Sequence, residues 1–513
     1  MPGWLNDAVF YEIYPQSFYD SNGDGIGDLN GIAMKLDYIR DLGCNALWIN
    51  PCFDSPFKDA GYDVRDYCKV APRYGTNEDL YRLFETAHEK GIRVLLDLVP
   101  GHTSEEHPWF LRSAEAEPNE LSGRYIWTDF WIKGIANHPY IGGETPRNGT
   151  YMLNFFKCQP ALNYGWRTPT EPWQCGVDDP DARSTRKALQ DVMRFWLDRG
   201  CDGFRVDMAD SLVKEDDDQK SCTCRIWREI RDMLDRDYPE AALVSEWSNP
   251  QQSLIGAGFH ADFYLDHWHN GYHSLLRKTD DGVDRSYFKC GADSNILDFL
   301  RDYLPKYEAT KDVGFISFLT CNHDTPRLAP RLSERERALA YAMLFTLPGV
   351  PFLYYGDEIG MRYLCDLPTK EGGYTRTGSR TPMQWNCSPN MGFSDAPKEL
   401  LYLPVDPSFD APTVAESQDK GGLFDIVRKV LALRHALPDL QANGSFEVLH
   451  AIERDPLFVY RRGSHIAAVN PSGHACSAAV SGIAPSSEPL FTIGAAETET
   501  DRITLGPQSF VLF

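Results

Sequence analysis

The sequence predicts an α/β fold: a (β/α)8 TIM barrel, with an insertion domain after strand 3 and a C-terminal antiparallel β-sandwich. Three observations predict it. Short apolar runs alternate with amphipathic helix patterns along most of the 513 residues. Eight such runs can be counted, the number that closes a parallel barrel. Beyond residue 442 the pattern changes to short alternating strands joined by turn-forming residues.

The barrel strands are expected at 9–14, 46–50, 93–99, 204–208, 243–246, 263–267, 315–321 and 350–355. Ile32, Leu36 and Ile39 recur at helical spacing and predict a helix over 30–42. A second is expected over 78–90, ended by Gly91, which suits a left-handed stop. Leu189, Val192, Met193 and Trp196 share one face of a third, over 185–199, and the last of the ring is expected over 423–437. Regularity lapses between 101 and 180, where Pro, Gly, Asn and Trp accumulate around short extended pieces. That stretch reads as an insertion domain, not a loop. The barrel is therefore assigned to 1–100 and 181–442, the insertion to 101–180, and the sandwich to 443–513. The sandwich strands are expected at 446–449, 457–461, 465–470 and 510–513.

Composition narrows the function classes. With 42% hydrophobic and 12% aromatic residues the chain can bury a large core. A net charge of −23 argues against nucleic-acid or anionic-membrane surfaces as partners. No apolar stretch is long enough to span a bilayer, and the first residues carry no secretory pattern. Thirteen cysteines, odd in number and irregularly spaced, read as reduced packing thiols of a cytoplasmic protein. Cys222 and Cys224 are one residue too close for the common redox or zinc pair. Oligomeric state has no signal in the sequence.

Three of the apolar runs lead to an acid: Phe204-Arg205-Val206-Asp207, Leu243-Val244-Ser245-Glu246, and the run from Phe315 to Asn322-His323-Asp324. Chemistry in parallel barrels sits at the C-terminal strand ends, so three carboxylates are expected to meet there. Arg205 and Asp207, two apart on a strand, point to one side. The guanidinium is expected to lower the Asp207 pKa and keep it ionised, as a nucleophile needs, while Glu246 stays protonated as the acid. Such a set suits glycosyl transfer.

These motifs, with Asp97-Leu98-Val99-Pro100-Gly101-His102, resemble the α-amylase superfamily, glycoside hydrolase family 13, over nearly the whole chain. The resemblance implies Asp207 as nucleophile, Glu246 as general acid/base and Asp324 as transition-state stabiliser. It places Arg205, His102 and His323 on the substrate side. Asp59-Ala60-Gly61-Tyr62 and Arg380-Thr381-Pro382-Met383-Gln384-Trp385 resemble the α-glucosidase, oligo-1,6-glucosidase and trehalose-synthase-like branch. There Asp59, Tyr62 and Arg380 would close the pocket around a terminal glucose. Tyr14, Phe156 and Trp268 are further candidates for the cleft, or for the core.

Two sequence features concern metals. Many relatives have an asparagine where Gly101 stands, and some use it for calcium, so no calcium is expected between barrel and insertion. The loop Asp20-Ser21-Asn22-Gly23-Asp24-Gly25-Ile26-Gly27-Asp28 instead sets oxygens at alternate positions around glycines, as a hard cation requires. It resembles the EF-hand-like loop of oligo-1,6-glucosidase-type relatives. The expected cofactor is thus structural Ca2+, or Mg2+, on Asp20, Asn22, Asp24, the Ile26 carbonyl and Asp28, with no organic cofactor. Ala161 and Met208 depart from common family patterns and leave linkage preference open.

The expected activity is a retaining, exo-acting α-glucosidase on short α-glucosides or oligosaccharides. The alternatives are a transglucosidase or trehalose- or sucrose-type mutase and, more remotely, a non-catalytic barrel protein.

Overall fold

The computed structural model describes all residues except 131–137, 269, 293 and 484–487. The predicted insertion and sandwich each include some of these undescribed residues.

Eight parallel strands form one sheet: β1 (Phe10–Ile13), β2 (Ala46–Ile49), β3 (Arg93–Leu98), β4 (Gly203–Val206), β5 (Ala242–Ser245), β6 (Ala261–Phe263), β7 (Phe315–Ser317) and β8 (Phe352–Tyr354). From β1 to β7 each strand pairs with the next, and β8 pairs with β1. Between β7 and β8 the cylinder closes through a single bridge, Leu319 to Phe352. The predicted barrel is thereby observed. The sixth strand lies slightly earlier than expected, and the seventh ends at Ser317.

Strand periodicity explains the barrel's interior. Phe10, Ala46, Trp48, Leu95, Val244, Phe263 and Phe352 form one buried cluster inside it. The next positions in register toward the C-terminal end are Glu12, Asn50, Asp97, Arg205 and Glu246. An apolar plug therefore carries a charged layer on top. Gly203 is required for closure, because a Cβ there would lie 2.0 Å from the Ala242 carbonyl oxygen on β5.

Several helix starts follow side-chain caps. The helix expected over 30–42 is two, α1 (Leu29–Met34) and α2 (Leu36–Leu42). It breaks at Lys35, whose ammonium sits about 4 Å from the Tyr19 and Trp385 ring centres. Thr76 and Asp79 form a capping box on α3 (Asn77–Glu89). α4 (Pro180–Leu197) starts five residues before 185 because Pro180 is preset for a first helical turn. α5 (Ser221–Asp237), α6 (Leu297–Thr310), α7 (Glu334–Leu344) and α8 (Leu423–Ala436) complete the main outer layer.

Between β3 and β4 lie the helix Pro108–Ser113 and a small antiparallel sheet of Trp127–Thr128, Thr150–Met152 and Tyr140–Gly142. After α8 the chain forms two antiparallel sheets, of five and three strands, around a core that includes Leu457, Val459, Ala468, Ile503, Leu505 and Val511. Among the described residues, no helix is long and apolar enough to cross a membrane.

Candidate active site

The charged layer is organised by Arg205, which is fully buried. Its Nη1 donates to both Asp97 oxygens, at 2.8 and 3.0 Å, and to Asp207 Oδ1 at 3.2 Å. Its Nη2 lies 2.8 Å from Glu246 Oε2. One guanidinium therefore touches the acids from β3, β4 and β5. The indole of Trp48 and the hydroxyl of Tyr62 both donate to Asp97 Oδ2.

Sharing has a consequence that the sequence did not show. Burial and the neighbouring Glu246 charge raise the Asp207 pKa well above the usual carboxylate range, against the pull of Arg205. The expected lowering is thus corrected: one positive charge divided among three carboxylates does not offset desolvation plus a second acid alongside. The backbone here is bent to fit. Met208 takes φ +41° and donates its amide to Glu246 Oε2 at 3.0 Å.

A second group forms around His323, buried behind Asp324. Its Nδ1 lies 2.9 Å from Glu12 and its Nε2 3.1 Å from Asp324 Oδ2 and 2.7 Å from the Tyr62 hydroxyl. Burial opposes its charge, but Asp324 and Glu12 outweigh that and raise its pKa to about 9. Asp324 also accepts Arg376 and Arg380, each at 2.9 Å. Although burial opposes ionisation, His323 and these arginines hold Asp324 well below the ordinary range.

Asp59, Tyr62, His102, Asp207, Glu246 and Asp324 line one cavity of about 380 Å3, with Phe155, Met208, Trp247 and Arg376 also on its wall. Arg205, His323 and Arg380 do not line it; they brace the acids from behind. Asp59 accepts Gln159 at 2.7 Å and faces Arg376 at 3.4 Å, and burial raises its pKa to about 6. His102 donates to the Tyr62 carbonyl and accepts from Asn154, and burial lowers its pKa to about 4, so it is a neutral imidazole at pH 7. The buried Lys214 ammonium donates to Asn154 and to the Ser211 carbonyl, the two residues whose side chains flank Gly101. Of the three candidate aromatics, Tyr14 stacks on the His323 ring, Phe156 packs near Tyr374, and Trp268 is 74% exposed outside this cavity.

Sequence reasoning missed Glu12, Asn50, Gln159 and Arg376, and gave Asp97 no role. Glu12 and Asp97 had a signal: each is an acid inside an otherwise apolar strand. Arg376 had none, because a turn of 3-10 helix, Tyr374–Ser379, delivers it.

The 20–28 loop lies away from this cavity, against Phe393, Ser394 and Leu400. Asp20, Asn22 and Asp24 each accept the amide two residues on, and Asp28 caps α1. The donor set is all oxygen, which suits a hard cation. Among the described residues, no group of three or more Asp, Glu, His or Cys side chains is drawn together as a metal centre.

Comparison with known proteins agrees with this geometry. Residues 12–443 match the family model described as alpha amylase, catalytic domain. The chain is 34% identical to the trehalose synthase/amylase TreS of Mycolicibacterium smegmatis, covering 87% of this chain and 78% of that one. It is 30% identical to an oligo-1,6-glucosidase of Heyndrickxia coagulans, covering 90% of each. A sucrose-bound isomaltulose synthase mutant from Erwinia rhapontici NX5 superposes with a TM-score of 0.81 at 26% identity, over 100% of this chain and 99% of that one. With eight strands, an acid-lined mouth and this match in hand, the chain belongs to the alpha-amylase family and is an enzyme of the glycoside hydrolase type.

Proposed function

We propose that the protein is a retaining, exo-acting α-glucosidase. The observation that carries this is the contact of one buried guanidinium with both Asp207 and Glu246 at the floor of a pocket whose wall carries Asp59, Arg376 and Asp324. In this reading Asp207 attacks the anomeric carbon while Glu246 protonates the departing oxygen, giving a β-glucosyl-enzyme. Glu246 then takes a proton from water, which releases α-glucose. Asp324 and His102 would hold hydroxyls of the distorted ring, with His323 fixing Asp324. Asp59 and Arg376 would hold the terminal hydroxyls and stop longer chains from threading through.

The relatives named for trehalose and isomaltulose synthesis support a second reading, a glucosyl mutase in which a sugar intercepts the same intermediate. Product analysis on maltose, isomaltose, sucrose and trehalose separates the two. Glucose release without rearranged disaccharide supports hydrolysis, whereas an isomeric disaccharide as main product overturns it.

Asp20, Asn22, Asp24, the Ile26 carbonyl and Asp28 would hold Ca2+ or Mg2+ in a purely structural role. Titration calorimetry on chelator-treated protein tests this, and the absence of binding by either ion removes it. All thirteen cysteines are unbridged, which supports a reducing, cytoplasmic setting.

A further inference from the structure

Glu246 sits at the start of a short turn between β5 and the helical turn Gln251–Ala257. Ser245, just before it, is buried and faces away from the barrel interior, because Val244 and Glu246 take the inward positions. Ser248, two residues after it, has φ +60°, a conformation that costs a serine energy. Both flanks of the turn meet one side chain. Asp262, on the neighbouring strand β6, accepts the Ser245 hydroxyl at 2.6 Å and the Ser248 amide at 3.3 Å, both on Oδ1.

Asp262 is an unusual residue to find there. It is fully buried and no ion pair reaches it among the described residues; the Ser253 hydroxyl and the Asn249 amide, further along the same turn, also favour its charge. Burial raises its pKa to about 7. A buried carboxyl without a counter-charge costs stability, so a strand position flanked by Ala261 and Phe263 would be served better by an apolar residue if packing alone mattered. What the carboxyl does supply is a single acceptor that ties the residue before Glu246 to a strained residue after Trp247.

We propose that Asp262 is a positioning residue that fixes the direction of the Glu246 carboxyl toward the departing oxygen. It lies on the outer side of the sheet, does not line the cavity, and acts only through the turn it clamps. The proposal rests on Glu246 being the acid/base.

Leaving groups that need no protonation provide the test. The substrates are maltose, or another unactivated disaccharide that the enzyme cleaves, and α-glucosyl fluoride. The variants are Asp262→Ala, Asp262→Asn and Ser245→Ala, with Glu246→Gln as reference, and the readout is kcat/KM, which reports the glycosylation step. Displacing a catalytic group by about 1 Å costs on the order of 100-fold. Asp262→Ala and Ser245→Ala are therefore expected to lose about ten- to a hundredfold on the disaccharide and less than about threefold on the fluoride. Asp262→Asn keeps the Oδ1 acceptor and is expected to stay near wild type on both. Ser245→Ala removes the same bond from the other side and keeps the test alive if Asp262→Ala does not fold. Equal losses on both substrates, or no loss on either, would overturn the proposal. If Glu246→Gln itself shows no dependence on leaving group, the acid/base reading falls and takes the proposal with it.

Discussion

The two ends of the barrel bury arginines in opposite ways. At the C-terminal end Arg205 lies among carboxylates, and although burial opposes its charge, Asp97 and Glu246 more than compensate and its pKa is raised. At the N-terminal end Arg434 and Arg462, equally buried, lie among main-chain carbonyls. Arg434 donates to those of Phe345, Leu347 and Gly349, and Arg462 to those of Ser445, Thr346, Gln441 and Gly444. Among the described residues neither forms an ion pair, and burial lowers both, Arg434 to about 9 and Arg462 to about 10. Carbonyl dipoles hold a charge in one geometry and tie loops together. Carboxylates hold it while staying able to react. The first arrangement belongs to stability and the second to chemistry.

This contrast can be broken most directly at Asp207. Asp207→Asn is expected to lower kcat by about 10^4-fold or more, while the melting temperature stays the same or rises, since a crowded acid has been removed. A steady-state assay beside a thermal melt checks both halves, and turnover near wild type would remove Asp207 as nucleophile. The converse experiment is Arg434→Met. It strands three buried carbonyls and should cost about 3 kcal/mol or more by denaturant unfolding, with kcat and KM per folded molecule unchanged.

Arg376 sharpens the rim half. It bridges Asp59 and Asp324 across the pocket wall, and Arg376→Ala is expected to raise KM about ten- to a hundredfold for the loss of charge-assisted hydrogen bonds. Inhibition constants for glucose would give the same ratio if the arginine meets the sugar. The smallest effect is a pH dependence. Burial raises the Asp59 pKa to about 6, so the ionised form that accepts two hydroxyls is lost as pH falls through 6, and KM should rise there. Because the folded value lies above the ordinary 3.8, ionising Asp59 also costs stability, increasingly from about pH 4 to 6 and fully above. Asp59→Asn should flatten both trends, at the cost of weaker binding throughout.

Much of this was legible in the sequence for a physical reason. Parallel barrel strands are buried on both faces, so the eight strands and the strand-end acids Asp207, Glu246 and Asp324 appear as near-continuous apolar runs that stop on charge. The starts of α1, α3 and α7 followed local caps, and Pro180 marks the early start of α4. Three things were not legible. The division of Arg205 among Asp97, Asp207 and Glu246 depends on three strands meeting in register, and it reversed the expected pKa shift of Asp207. Arg376 comes from a turn with no periodicity, and it, not Arg380, faces the pocket. Asp262 looked like one more polar residue near a strand, because what it clamps lies on another strand.

The closure of the barrel has its own consequence. The β1–β2 ladder runs in register from Phe10–Ala46 to Ile13–Ile49, whereas among the described residues β7 meets β8 through the Leu319–Phe352 bridge and the amide of Phe352 on the Phe318 carbonyl. A cylinder held unevenly breathes at its slackest join. Amide exchange in deuterated water is therefore expected to begin along residues 317–321 well before 94–98. The stretch that loosens first runs directly into His323 and Asp324, so slow opening of the join would tilt one acid of the site while leaving the other two in place.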